Sequence, residues 1–211
     1  MLGTEPFFGL VALPYEVLTR HPVWERHCAW MATRLPTGAR TVLDLGCGPG
    51  NSTVHLREAV GAGAVGGDLA FSMLRRARRR EPALPLVCLD AGALPLRDGS
   101  LDAMTLHSVL YLLPDRAGAL REVWRVLRPG GRVVLLEPHA GWRATLLGIG
   151  RALPFPRWAL AAALWRTMSL ARGRFTPGEL RGQLESAGLR ILEVEEALGG
   201  LGLTAVAEKP T

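Results

Sequence analysis

Lysine is almost missing from this chain: of its 25 basic residues only Lys209 is a lysine, and the rest are arginines. The formal charge is +6 and the isoelectric point is near 10.2. Such a bias marks a GC-rich genome or a heat-adapted protein; the other reading is a polyanion-binding face. Cysteine is scarce as well. Cys28, Cys47 and Cys88 are odd in number and lack CxxC spacing, which argues against a disulfide framework or zinc site and suits a reducing cytosol. Long apolar runs are also absent, because the most apolar part, 140–171, is broken by Arg143, Arg151, Arg157 and Arg166. No basic start leads into a long apolar core, and Glu5 comes early, so no secretory signal is read. The expectation is a soluble, cytoplasmic protein.

Internal repeats and low-complexity linkers are missing too. The 211 residues are 48% hydrophobic and 21% charged, a globular composition long enough for one domain with a full core. Periodicity predicts a helix over 15–35, in which Trp24, His27 or Cys28, and Met31 share a face. Strands follow over 41–45, 64–69, 85–89, 101–106 and 132–137, alternating with helices over 51–58, 72–80 and 115–127. A last helix over 176–187 precedes two strands, 189–195 and 203–208, which the Gly199-Gly200 break suggests are a hairpin. Strands alternating with helices imply right-handed crossovers and a mostly parallel, doubly wound α/β sheet.

The most informative segment runs from Val42 to Gly50, Val-Leu-Asp-Leu-Gly-Cys-Gly-Pro-Gly. An apolar strand ends near Asp44 and opens into a turn with glycine at every second position, which lets backbone approach a nucleotide-like ligand. The spacing is GxGxG, with Asn51 outside the glycine pattern. The dinucleotide fingerprint is GxGxxG, so the reading moves from a nicotinamide cofactor towards S-adenosylmethionine. Asp44, Asp68 and Asp90 fall at the carboxyl ends of three successive strands, the edge where open α/β sheets bind ligands. Asp68 lies about twenty residues beyond the turn, where a carboxylate meets a ribose in dinucleotide folds.

With these segments in hand, the chain resembles a class I S-adenosylmethionine-dependent methyltransferase, closest to the ubiquinone- and menaquinone-type small-molecule group. The matching stretches are 42–50, 67–73, 90–96, 101–113 and 126–137, in the family's order. The resemblance implies a seven-stranded, Rossmann-like sheet with helices on both faces and an antiparallel last strand. It divides the chain into an N-terminal helical segment (1–40), a cofactor-binding core (41–138), a helical substrate lid (139–175) and a C-terminal helix with hairpin (176–211). It also implies that Asp44 and the backbone at Gly46, Cys47 and Gly48 hold the methionine end of the cofactor. By the same resemblance Asp68 grips the ribose, Leu69 and Met73 pack near the adenine, and Asp90 accepts from the adenine amine. The Ala91 amide would meet a ring nitrogen, and His107 would line the methionine moiety through its backbone. The product would be S-adenosylhomocysteine.

A sulfonium is an activated donor, so a base is needed only if the acceptor must lose a proton. Candidates are His107, Tyr111, Glu137 and His139; against these stand a packed Tyr111, a strand-capping Glu137 and an exposed loop His139. Metal ligation by His107 and His139 lacks partner ligands. The family's amino-group methylases carry an Asn/Asp-Pro-Pro-aromatic signature where this chain has Leu106-His107-Ser108-Val109-Leu110-Tyr111, which favours an oxygen, carbon or unusual nitrogen acceptor. In 139–175, Leu160, Leu164 and Met168 read as one helical stripe, and Trp158 and Trp165 recur seven residues apart. This segment is either a lid over an apolar or aromatic acceptor or a helical hairpin burying its own face. Its arginines Arg143, Arg151, Arg157, Arg166 and Arg172 suit an acidic or lipid acceptor or an anionic membrane surface. The cluster Arg75, Arg76, Arg78, Arg79 and Arg80 is read as a solvated helix end over an RNA face, since no stacking aromatics lie nearby. A monomer or homodimer acting on a small molecule is expected.

Overall fold

The computed structural model describes residues 19, 21–141, 150, 154 and 156–211. Seven strands of these residues form one sheet. In chain order the elements are α1 (Pro22–Thr33), β1 (Val42–Leu45), α2 (Asn51–Val60), β2 (Ala64–Asp68), α3 (Phe71–Arg80) and β3 (Leu86–Cys88). There follow β4 (Leu101–His107), α4 (Arg116–Val126), β5 (Leu127–Pro138), α5 (Pro156–Arg172), α6 (Pro177–Ser186), β6 (Arg190–Ala197) and β7 (Gly202–Glu208). Short 3-10 turns at Leu110–Leu112 and Leu198–Gly200 follow β4 and β6.

The strand order is β3-β2-β1-β4-β5-β7-β6. The first five are parallel, and β7 runs antiparallel to both β5 and β6. The order of winding reverses between β1 and β4: the chain adds β2 and β3 on one side of β1 and then β4 and β5 on the other, with Leu45 beside Gly67 on the first side and Leu106 on the second. That switch point is where ligands of such sheets bind.

The period-2 alternation of β5 builds two cores. Val133 and Leu135 pack with Met104, Leu120, Val123, Leu180 and Leu184 on the α4/α6 face. Val134 and Leu136 pack with Trp24, Met31, Trp158 and Trp165 on the α1/α5 face. A strand covered on both sides must read as a continuous apolar run, which 133–136 does. Each fully buried Leu or Val here contributes about 1.5–3 kcal/mol.

Helix ends differ modestly from the sequence expectation. α1 is shorter than 15–35 because Pro22 sets its first turn, with His21 Nδ1 accepting from the Val23 amide at 3.3 Å. Positions 15–18 and 20 of that expectation lie outside the described residues. α6 carries the full capping box of Thr176 and Glu179.

α1 also buries a titratable group. His27 is 8% exposed, and neither ring nitrogen has a hydrogen-bond partner among the described residues. Its ring lies between Trp30, at 5.2 Å, and His107, at 5.1 Å. Burial lowers its pKa from 6.5 to about 4 and lowers that of His107 as well. An unfolded histidine takes up its proton near 6.5, so the unfolded state binds more protons between those values. Stability should therefore fall as pH drops from about 6.5 to 4, by about 3 kcal/mol from His27 alone. The difference between the pH–stability curves of the native chain and His27→Leu isolates this contribution; parallel curves would refute it.

Candidate active site

The turn after β1 is built by backbone. The Gly46 and Cys47 amides donate to the Gly67 carbonyl at 2.7 and 3.0 Å, tying the loop to the end of β2. Gly46 has φ +73°, and a Cβ there would stand 2.4 Å from Val109 Cγ2. Glycine is thus required twice over, by its left-handed backbone and by contact with the segment after β4.

Beside this turn lies a cavity of about 840 Å³ at the carboxyl edge of the sheet. On the β1–β3 side it is lined by Leu45, Gly46, Gly48, Asp68, Leu69, Ala70, Met73, Leu89, Asp90 and Ala91. On the β4 side its walls are Ser108, Val109, Tyr111, Leu112, Leu113, Pro114 and Arg116, with Ala171 and Arg172 from the end of α5. Asp68 Oδ2 accepts from the Gly48 amide and Oδ1 from the Ala70 amide, each at 2.8 Å. Asp90 Oδ1 accepts from the Gly92 amide at 2.8 Å. Both carboxylates are thereby held in fixed orientations at the cavity.

Eight of the residues expected from sequence meet here: Gly46, Gly48, Asp68, Leu69, Met73, Asp90, Ala91 and Tyr111. Asp44 does not. It is completely buried, Oδ2 accepting from the Ser52 and Thr53 hydroxyls at 2.6 Å and Oδ1 from Thr105 at 2.8 Å. It ties β1 to the start of α2 and to β4, and burial raises its carboxyl above the usual range. Cys47 is likewise buried away from the lining, with its thiol pushed up by burial.

His107 turns from the cavity into the α1 core. Its ring stacks on Trp24 at 4.5 Å, and Nδ1 lies 3.2 Å from Cys28 Sγ. Glu137 is 0% exposed and accepts from the Val109, Leu110 and Tyr111 amides at 3.1, 2.8 and 3.0 Å. It therefore clamps the turn that forms one cavity wall. His139 is buried rather than on an exposed loop, with Nδ1 3.3 Å from the Gly200 carbonyl.

Of the proposed bases only Tyr111 lines the cavity, and burial pushes its phenol up to about 12. At neutral pH it is a hydrogen-bond donor, not a base. Beside it Ser108 adopts φ +67°, rare for a residue with a Cβ, and its hydroxyl accepts from Trp165 Nε1 at 2.7 Å. Sequence reading missed Leu45, Ala70 and Leu89 on one side, and Ser108, Val109, Leu112, Leu113, Pro114, Arg116 and Ala171 on the other, as lining residues. The available signal on the latter side was an apolar run ending in proline directly after β4.

The arginines sort differently from the sequence expectation. Arg166 is 5% exposed, and its Nη1 donates to the His139 carbonyl at 2.6 Å, so it braces the core. Arg172 reaches the cavity, whereas Arg143 and Arg151 lie outside the described residues. Of the Leu160–Leu164–Met168 stripe only Met168 is buried: Leu160 is 73% exposed and Leu164 half-buried, and Trp158, Ala161, Ala162 and Trp165 face inward with Met168. On α3, Arg78 donates to the Pro82 carbonyl, Arg80 to Asn51, and Arg75 lies over Phe71. Among the described residues no helix is long and apolar enough to cross a membrane.

Residues 43–135 match the methyltransferase domain family. A demethylmenaquinone methyltransferase of Mycobacterium sp. (strain KMS) is 36% identical over 96% of this chain and 92% of the relative. The chain belongs to the S-adenosylmethionine-dependent methyltransferases. The demethylmenaquinone methyltransferase of Streptomyces avermitilis is 39% identical over 57% of this chain, which spans only about half (51%) of that relative's length. A solved S-adenosylmethionine-dependent methyltransferase from Thermotoga maritima superposes with TM-score 0.70 over 97% of this chain and 99% of that one, at 17% identity. That likeness bears on the fold, a mostly parallel seven-stranded methyltransferase sheet with β7 antiparallel. S-adenosylmethionine is the cofactor of the family.

Proposed function

We propose that the chain transfers a methyl group from S-adenosylmethionine to a small, apolar or aromatic acceptor. The observation that carries this reading is one cavity with a glycine turn and two oriented carboxylates on one side and an apolar wall on the other. The donor set suits the cofactor: a Cβ at Gly46 would close the cradle, and carboxylates accept from hydroxyls and amines. Asp68 would accept from the ribose hydroxyls, Asp90 from the adenine amine, and the Ala91 amide would meet a ring nitrogen. Leu69 and Met73 would flank the adenine, with the backbone of Gly46 and Gly48 along the methionine end. The chemistry supplied with the cofactor bound is a methyl already activated on a sulfonium, open to in-line displacement. Asp44 and Glu137 act at one remove, holding the glycine turn and the 109–111 turn in register.

The protein's own contribution is then orientation and exclusion of water, which for well-placed reactants supplies up to roughly 7–11 kcal/mol. Ala171 and Arg172 at the cavity support reading 139–175 as a lid on the acceptor side. The demethylmenaquinone enzymes among the relatives favour a small-molecule acceptor.

Asp68→Asn should weaken S-adenosylhomocysteine binding by about 1.5–3 kcal/mol, read by calorimetry on folded protein. Unchanged affinity would remove Asp68 from the ribose site. For the acceptor, labelled methyl from S-adenosylmethionine should enter the lipid or small-molecule fraction of a cell extract. Label in RNA would instead point to the arginine face of α3.

A further inference from the structure

Charge is sorted along this cavity. Its acids, Asp68 and Asp90, stand at the ends of β2 and β3, whereas Arg116 and Arg172 stand beyond β4, past the apolar side chains of Val109, Leu112 and Leu113. Arg116 is held in place before any ligand arrives. Its Nη2 donates to the carbonyls of Tyr111 and Arg172 at 3.1 and 2.9 Å, and its guanidinium lies 4.9 Å from the centre of the Phe175 ring.

Among the described residues no ion pair joins Arg116 to a carboxylate. The two acids whose carboxyls feel its charge, Glu137 and Glu179, are engaged elsewhere: by the 109–111 amides and by the Thr176 cap. A guanidinium carries five N–H donors, and the two carbonyl bonds engage only the Nη2 end of this one. A planar fork already fixed by its neighbours loses little freedom on gripping a carboxylate or phosphate. The Arg116 bond to the Arg172 carbonyl also draws the end of α5 to the start of α4, which sets the second cation at the same rim.

We infer that the acceptor carries an anionic oxygen group, a carboxylate or phosphate, on an apolar body, and that Arg116 and Arg172 bind that anion. The apolar wall after β4 takes the body, and the acids on the far side repel the anion and so orient the molecule. This inference rests on the methyltransferase reading above and narrows its acceptor class.

The test uses protein saturated with S-adenosylhomocysteine and three probes below their micellar concentrations: decanoate, decyl phosphate and decanol. Calorimetry should show the two anions binding roughly tenfold or more tightly than the alcohol, as charge-assisted hydrogen bonds require. Arg172→Gln should remove most of that preference, and Arg116→Lys, which keeps the charge without the fork, should remove part of it. Affinity for S-adenosylhomocysteine should be unchanged in both variants.

Sedimentation with phosphatidylglycerol vesicles, against phosphatidylcholine, separates the sources of the anion. Arginine-dependent vesicle binding identifies a lipid headgroup, and binding of the free decyl anions alone identifies a small acid. Equal affinity for anion and alcohol overturns the inference. So do variants that weaken S-adenosylhomocysteine binding while the anion preference survives, since the arginines then serve the cofactor's carboxylate. Failure of the native protein to bind S-adenosylhomocysteine would overturn the methyltransferase reading itself, and this inference with it.

Discussion

Glu137→Ala is expected to lower stability by about 3–5 kcal/mol and to abolish measurable cofactor binding at ordinary concentrations. The carboxylate is 0% exposed and is the shared acceptor for three successive amides, Val109, Leu110 and Tyr111. Removing it strands three buried donors, each costing about 1–3 kcal/mol, with partial relief from relaxation of the turn. Val109 and Tyr111 belong to the cavity wall, so relaxation there reshapes the site. Glu137→Gln keeps one acceptor oxygen but turns an NH2 towards the amides, and should cost about half as much. Urea unfolding and calorimetry check both. A well-folded Glu137→Ala with native affinity would show that the clamp is dispensable. Burial pushes this carboxyl up to about 7 against the pull of the three amides. An acid raised in the folded state aids stability below its unfolded value of 4.5 and loses that contribution as pH rises through 7. Its pH effect therefore opposes that of His27, and Glu137→Gln should abolish it.

Gly46→Ala should cost about 2–5 kcal/mol and weaken S-adenosylhomocysteine binding by at least about 100-fold. A Cβ in the left-handed region costs about 1–2 kcal/mol, and overpacking a closed contact adds about 1–3 kcal/mol. The contact is tight: the new atom would lie 2.4 Å from Val109 Cγ2, and neither β1 nor the clamped 109–111 turn can retreat easily. Gly182→Ala is the matched control. Nothing lies within 4 Å of a Cβ there, and it sits within α6, so stability should rise by about 0.5–1 kcal/mol. If both substitutions behave alike, neither the strain nor the contact at Gly46 matters.

Local chemistry made much of this protein legible. Alternation of apolar strands with amphipathic helices follows from periodicity, because burial of one face is a property of neighbouring residues. The GxGxG turn and the strand-end position of Asp68 are legible for the same reason: left-handed backbone and chain punctuation are local demands. From them come the sheet, its ligand edge and eight of the lining residues.

What the sequence alone did not determine is the direction and partnership of buried polar groups. Asp44 looked like a ligand residue, but three hydroxyls from α2 and β4 enclose it. His107 faced the ligand edge in sequence, and the arrival of α1 gave it Trp24 and Cys28 instead. Glu137 was open between a base and a strand cap, and the amides it clamps lie 26 to 28 residues away. Arg116 and Arg172 meet although 56 residues separate them. A buried polar atom must be satisfied by whichever segment packs against it. That neighbour is chosen by long-range packing of helices on the sheet, which no local period records.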